Sequence, residues 1–174
     1  MRAPKRRALF VAIIASFAGI RLAYAQDDES APARAESLMS GGPRAWFGQT
    51  RATIVAALGR PARIESRTAY PNKPRSRDSL VTFDYDGATF VFYTTKGDAH
   101  DILTKATVWQ SHLLSHSPIT LGASVADVRS FFGDSNQGST PHMLYSTTDG
   151  ILDHLELWFD QDRLVRLKWI YGVD

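Results

Sequence analysis

The chain has 174 residues, with 20 Lys and Arg against 18 Asp and Glu and no cysteine. The missing cysteine excludes disulfides, thiolate metal sites, cysteine nucleophiles and a lipidated N-terminal cysteine. Five of the 20 cations lie in the first 25 residues; without that segment 15 cations face 18 carboxylates, a net charge of −3, and the electrostatic footprint for nucleic-acid binding is gone.

Residues 1–25 read as an export signal. Lys5, Arg6 and Arg7 start it, Ala8 to Ile20 is apolar, and Ala23-Tyr24-Ala25 offers a small-x-small cleavage site. The apolar run is too short for a resident membrane helix, which needs about twenty residues. Cleavage after Ala25 predicts a periplasmic or secreted protein with no stable membrane insertion. Residues 26–43 are acidic at Asp27, Asp28 and Glu29, then rich in Ala, Ser, Gly and Pro, which predicts a flexible leader with room for a short helix over Ala33 to Met39.

Residues 44–174 are expected to form one domain. Gly48-Gln49-Thr50 leads into Arg51 to Leu58 and stops at Gly59. Thr50 is placed to accept a bond from an amide of the first helical turn, and Gly59 to leave the helix with φ > 0. Arg63 to Ala69 suits an edge strand, followed by a basic polar loop carrying Lys73, Arg75 and Arg77. Leu80 to Tyr85 alternates with period two, Asp86-Gly87 favours a tight hairpin, and Thr89 to Thr94 resumes as strand. A turn at Lys96-Gly97-Asp98 leads to a further strand, Ile102 to Gln110, and Ser111 to Pro118 reads as a linker.

The order then recurs. Gly122-Ala123-Ser124 opens a helix over Val125 to Phe132 that stops at Gly133, with strands over Met143 to Ser146, Leu152 to Phe159 and Leu164 to Tyr171. Turns fall at Asp149-Gly150 and Asp160-Gln161-Asp162. Tyr85 matches Tyr145, and Trp109 is paired with Trp169. The predicted fold is α+β: two tandem helix-plus-antiparallel-meander repeats, 44–111 and 118–174, forming one sheet with helices on one face. Alternation assigns Leu155, Leu157, Phe159, Val165, Leu167 and Trp169 to the covered face, and His154, Glu156, Trp158, Arg166 and Lys168 to the open one.

Laid out this way, the pattern Gly48, Thr50, Leu58, Gly59, Pro61, followed by Gly122, Ser124, Val128, Phe132, Gly133, resembles the β-lactamase-inhibitor-protein-like tandem repeats. Its single unit is similar to the SmpA/OmlA (BamE) family of outer-membrane assembly lipoproteins. The resemblance covers roughly residues 46–171 and implies a non-catalytic binding protein of the cell envelope. Two features depart from it: the lipidation cysteine is absent, and Asp134-Ser135 stands where the first copy has Arg60-Pro61.

Catalytic and metal chemistry has weaker support. His112 and His116 have i, i+4 spacing, with His100 and Asp101 nearby, but Ser111 to Pro118 is short and proline-ended, so solvated linker histidines explain them more simply. Asp84/Asp86 and Asp160/Asp162 lack the further ligands of a calcium loop and read as acids flanking turns. Ser124 sits in Gly-x-Ser-x-Ala, which lacks the last glycine of a hydrolase elbow, and it is needed as a cap.

The expected function is therefore an exported, non-catalytic protein-binding module of the bacterial cell envelope: an assembly accessory, inhibitor or immunity-type protein. Its partner is expected to be another envelope or secreted protein, and no cofactor is expected. Candidate binding residues are Tyr93, His154, Glu156, Trp158, Arg166 and Lys168, with Trp158 either anchoring a partner or packing under a loop or the leader. The alternative is a small metal-dependent enzyme or ligand carrier using His100, His112 and His116.

Overall fold

The computed structural model describes residues 30–72, 78–95, 101–135, 137–146 and 153–172. The signal segment, the loop bearing Lys73, Arg75 and Arg77, the Lys96-Gly97-Asp98 and Asp149-Gly150 turns, Leu152 and His100 lie outside them. The fold is α+β, with four α-helices and one eight-stranded antiparallel sheet among the described residues. The helices are α1 (Ala31–Ser40), α2 (Gly42–Phe47), α3 (Arg51–Leu58) and α4 (Val125–Phe132). The strands are β1 (Arg63–Thr68), β2 (Ser79–Tyr85), β3 (Ala88–Thr94), β4 (Asp101–Val108), β5 (Gln137–Ser139), β6 (His142–Ser146), β7 (His154–Asp160) and β8 (Arg163–Ile170). They lie in the order β1-β2-β3-β4-β8-β7-β6-β5, so two meanders meet at β4 and β8.

Both predicted helix openers form capping boxes. Thr53 N–H donates to Thr50 Oγ1 at 3.2 Å while Thr50 N–H donates to Thr53 Oγ1 at 3.1 Å. At α4, Asp127 N–H donates to Ser124 Oγ at 3.1 Å and Ser124 N–H to Asp127 Oδ2 at 2.9 Å. Each box satisfies two amides that the first helical turn leaves unpaired. Gly59 and Gly133 end the two helices at φ 80° and 78°, a region that disfavours side chains. The Tyr85 hydroxyl donates to the Gly59 carbonyl and the Tyr145 hydroxyl to the Gly133 carbonyl, both at 3.0 Å. Burial pushes the Tyr145 phenol up to about 12, so it remains a neutral donor.

The apolar sides of the helices and one face of the sheet form a single core. Ile54 of α3 and Val128 of α4 are fully buried against Phe90, Phe92, Leu103, Leu155, Leu157 and Leu167. The segment expected to be a flexible leader is part of this core from Ala31 onward. Ala35, Leu38 and Met39 of α1 are buried, and α1 packs on α4 and β6 while α2 packs on α3. The buried Trp169 indole donates to the Leu38 carbonyl at 3.0 Å. Gly42 lies flat on the same ring: a Cβ there would sit 2.5 Å from the indole nitrogen, and φ is 37°. The Arg34 guanidinium donates to the Phe131 carbonyl at 2.8 Å and adds a second tie. Weak apolar content misled the sequence reading because α1 buries only Ala35, Leu38 and Met39.

Two bulges alter the predicted faces. In β4, Phe92 pairs with Leu103 and Val91 with Lys105, so Thr104 is the extra residue. In β8, Phe159 pairs with Leu164 and Trp158 with Arg166, so Val165 is the extra residue. A bulge reverses side-chain parity beyond it. Leu164, 1% exposed, therefore takes the inward position expected of Val165, which is 42% exposed. The same parity separates the two paired tryptophans: Trp169 is buried, whereas Trp109 is 42% exposed on the far side of the sheet. β1 is exposed along its whole length, and β5, which has no apolar pattern, was not expected.

Two outcomes follow. Leu38→Ala is expected to destabilise the protein by about 3 kcal/mol, the range for truncating a buried leucine, in urea unfolding; a loss below about 0.5 kcal/mol would return α1 to the status of a loose leader. The Ser124 hydroxyl, then its amide, hold the Asp127 carboxyl below its ordinary 3.8. Its contribution is present above that ordinary value and is lost as pH falls through the lowered one. The stability gap between wild type and Asp127→Asn should therefore hold constant above the ordinary 3.8 and narrow as pH falls below it, whereas the gap for Thr53→Ala should not depend on this titration.

Candidate binding face

All four helices lie on one side of the sheet, and among the described residues no element covers the other side. Three adjacent rows cross its centre. Lys105 of β4, Ile170 of β8 and His154 of β7 form the first; Thr107, Lys168 and Glu156 the second. In the third, Arg166 of β8 stands next to Trp158 of β7, and Trp158 next to His142 of β6. Trp109 follows Val108 at the end of β4 and extends this row on the side of Arg166, since Val108 pairs with Leu167. Thr107, Trp109, Val165 and Arg166 line a shallow depression of about 530 Å³.

The third row is an aromatic and cationic stack. The His142 ring lies on Trp158 with centroids 4.6 Å apart and planes at 22°. The Arg166 guanidinium carbon is 4.2 Å from the Trp158 centroid. Because β6 and β8 flank β7, these two neighbours take opposite faces of the indole. Trp158 is thus neither a free anchor nor packed under the leader; it is a post that orients Arg166 and His142. Stacking over an indole leaves the guanidinium N–H edges free to donate.

The second row is an ion pair. Lys168 Nζ lies 3.0 Å and 3.1 Å from the two carboxylate oxygens of Glu156, with side-chain exposures of 23% and 13%. Glu156 is also 3.6 Å from His142 Nε2, longer than a hydrogen bond, and that nitrogen has no hydrogen-bond partner. His154 Nδ1 is likewise buried and unpartnered. Burial, and secondarily Lys168, push the Lys105 ammonium below the usual lysine range, while Glu156 opposes the shift.

Of the residues singled out from the sequence, Glu156, Trp158, Arg166 and Lys168 come together, with His154 beside them. Tyr93 does not join them. It lies on the same side toward β2, where its hydroxyl donates to Asp78 Oδ2 at 2.7 Å and its ring meets Tyr70 edge-on at 6.3 Å. The bond to Asp78 holds its phenol pKa above the usual range. Lys105, Trp109 and His142 were missed. Only the strand order brings them to this site, although the odd parity of Trp109 relative to Val108 was a usable signal.

The metal reading gains nothing from the geometry. His112 lies in a 3-10 turn over Ser111–Leu114 and His116 just after it, both exposed, so their i, i+4 spacing does not place them on one α-helical face. No group of three potential ligands occurs among the described residues. The paired aspartates serve turns: Asp84 accepts from Thr89 Oγ1 at 2.9 Å and Asp86 from Gln110 Nε2 at 2.8 Å. No helix among the described residues is long and apolar enough to cross a membrane.

Removing the Glu156 charge should lower the Lys105 pKa further, and removing that of Lys168 should raise it. Nitrogen-detected NMR titration of Glu156→Gln and Lys168→Met tests both directions; unchanged Lys105 titrations would mean that the three groups are not electrically coupled. Comparison with protein-family models, curated proteins and solved structures finds no match to this chain, so the residues themselves carry its functional reading.

Proposed function

We propose that this chain is an exported, non-catalytic protein-binding module of the bacterial cell envelope, built from two tandem copies of a helix and a four-stranded meander, and that it docks its partner on the uncovered sheet face. The observation carrying this reading is the row Trp109, Arg166, Trp158, His142 at the centre of the only broad face that the helices leave open among the described residues. Aromatic and arginine side chains are the residues most enriched at binding hot spots. The segment at residues 1–25 supports periplasmic or secreted placement.

The duplication has independent support. Capping boxes at Thr50 and Ser124, tyrosine-to-glycine bonds from Tyr85 and Tyr145, and bulges at Thr104 and Val165 each occur once per half. Leu103 N–H donates to the Gln49 carbonyl and Leu164 N–H to the Ala123 carbonyl, both at 2.9 Å and both one residue before a cap. With these as anchors, β4 matches β8, and Val108, not Trp109, matches Trp169. The arrangement agrees with the architecture expected from the β-lactamase-inhibitor-protein-like resemblance, and it favours an assembly accessory, inhibitor or immunity-type role.

A photoreactive residue placed at Thr107, compared with one at Ala56 on the exposed side of α3, tests the docking face in envelope extracts. Adducts are expected from position 107 alone and should fall about tenfold with Trp109→Ala and Arg166→Ala combined, the scale of losing one hot spot. Equal adducts from both positions, or undiminished yield from the double variant, would overturn the reading.

A further inference from the structure

The outer-face reading can be carried further, to the chemistry of the partner. We infer that the central rows receive an acidic segment of a partner protein: a carboxylate pairs with Arg166, while an apolar neighbour in the same segment packs on Trp109 in the depression beside it. This rests on the outer-face reading and adds the partner's chemistry to it.

Charge complementarity is the first ground. The three rows present Lys105, Lys168 and Arg166 against one carboxylate, Glu156, which Lys168 already engages. Among the described residues Arg166 and Lys105 have no carboxylate within salt-bridge distance, although the chain without residues 1–25 carries a net charge of −3. Unpaired cations concentrated at one place on an acidic protein favour an anionic ligand there and steer its approach.

Geometry narrows the class of anion. The Arg166 guanidinium carbon lies 4.2 Å from the Trp158 ring centroid, and a guanidinium packed on a ring can still meet a carboxylate with two parallel bonds. Trp158 carries His142 and Arg166 on its ring and is not open for a ligand to stack on. Acidic membranes are read by clusters of about four to eight cations; the three rows hold three, one of them paired, with Arg67 of β1, among the described residues, the one further cation that acts on Lys105. Trp109, 42% exposed beside Arg166, gives one wall of indole next to one guanidinium. An acidic residue adjacent to an apolar one in an extended segment fits that pair.

Panning a random peptide library on the chain without residues 1–25 supplies the test. Enrichment of Asp or Glu beside an apolar residue is expected, as is binding of the synthetic peptide that strengthens at low salt. Its affinity should drop about tenfold with Arg166→Ala and by less with Arg166→Lys, which keeps the charge and loses the planar stack. Both variants are surface changes whose thermal unfolding should match wild type, and Trp109→Ala provides a second, uncharged reading of the same site. Four results would overturn the inference: no enriched peptide, neutral or basic peptides, acidic peptides indifferent to Arg166→Ala, or Arg166-dependent binding of phosphatidylglycerol vesicles without acidic peptides. Neutral peptides that are lost with Trp109→Ala would refute the acidic partner and leave the docking face standing. Peptides indifferent to all three variants would refute both.

Discussion

The position of Trp169 under the N-terminal helices constrains the rest of the molecule. Trp169 lies on β8, one of the two strands where the meanders meet, and its ring is wholly buried. A buried indole needs a partner for its N–H, and the carbonyl of Leu38, near the end of α1, supplies it. The chain then turns into α2 at Gly42, the residue that fits against the ring, and Trp46 meets the same ring edge-on at 5.7 Å. One side chain thereby joins α1, α2 and the sheet centre. Since α1 packs on α4 and α2 on α3, the N-terminal helices span both halves and close the inner face. That closure leaves the opposite face as the broad surface on which a partner can dock.

The bulges decide which residue each central strand buries as it enters the core. Without the extra residue at Val165, simple alternation would keep Val165 inside and move Leu164 out, replacing a fully packed leucine by a shorter side chain. With it, Leu164 is buried, and the following Arg166 and Lys168 rise on the outer side opposite Trp158 and Glu156. Thr104 does the same for Lys105 and Thr107 on the neighbouring strand. The strand order β4-β8-β7 then brings three cations and an exposed tryptophan to one patch. Bulges commonly re-aim side chains in this way at functional edges and sites.

What the sequence disclosed follows the range of the interaction involved. Helix caps, terminating glycines and the Asp86-Gly87 hairpin are set within a few residues, so spacing alone located them. The sheet faces were legible in β7, where Leu155, Leu157 and Phe159 alternate without interruption up to the bulge. Of the N-terminal helices only the stretch Ala33 to Met39 was foreseen as helix, and its docking was not, because its support comes from far away: Leu38 to Trp169 and Arg34 to Phe131 are separated by 131 and 97 positions. A segment whose stabilising contacts lie at such distances resembles a leader in composition. β5 escaped for the converse reason, since a short edge strand exposed on both sides has no alternation to detect, whereas β1 was expected as an edge strand over Arg63 to Ala69. Trp109 was misplaced because it was matched by residue type; the faces of a sheet are fixed by parity counted from the bulge.

The same geometry explains why the patch on the open face has a graded charge. Glu156 is largely enclosed, and Lys168 is its direct ion-pair partner. The pair is therefore largely self-contained, and it contributes orientation more than net field. Arg166 is held by π stacking instead of by a carboxylate, so its charge is positioned without being cancelled. Lys105, pressed by burial and by Lys168, loses part of its hold on its proton. An incoming carboxylate would strengthen that hold, so the patch is arranged to favour an anion more than the isolated chain's overall charge would suggest. Trp158 makes this possible: by occupying the space between His142 and Arg166, it fixes a cation on an open β-sheet without a counter-ion, and the site stays available to a carboxylate from outside.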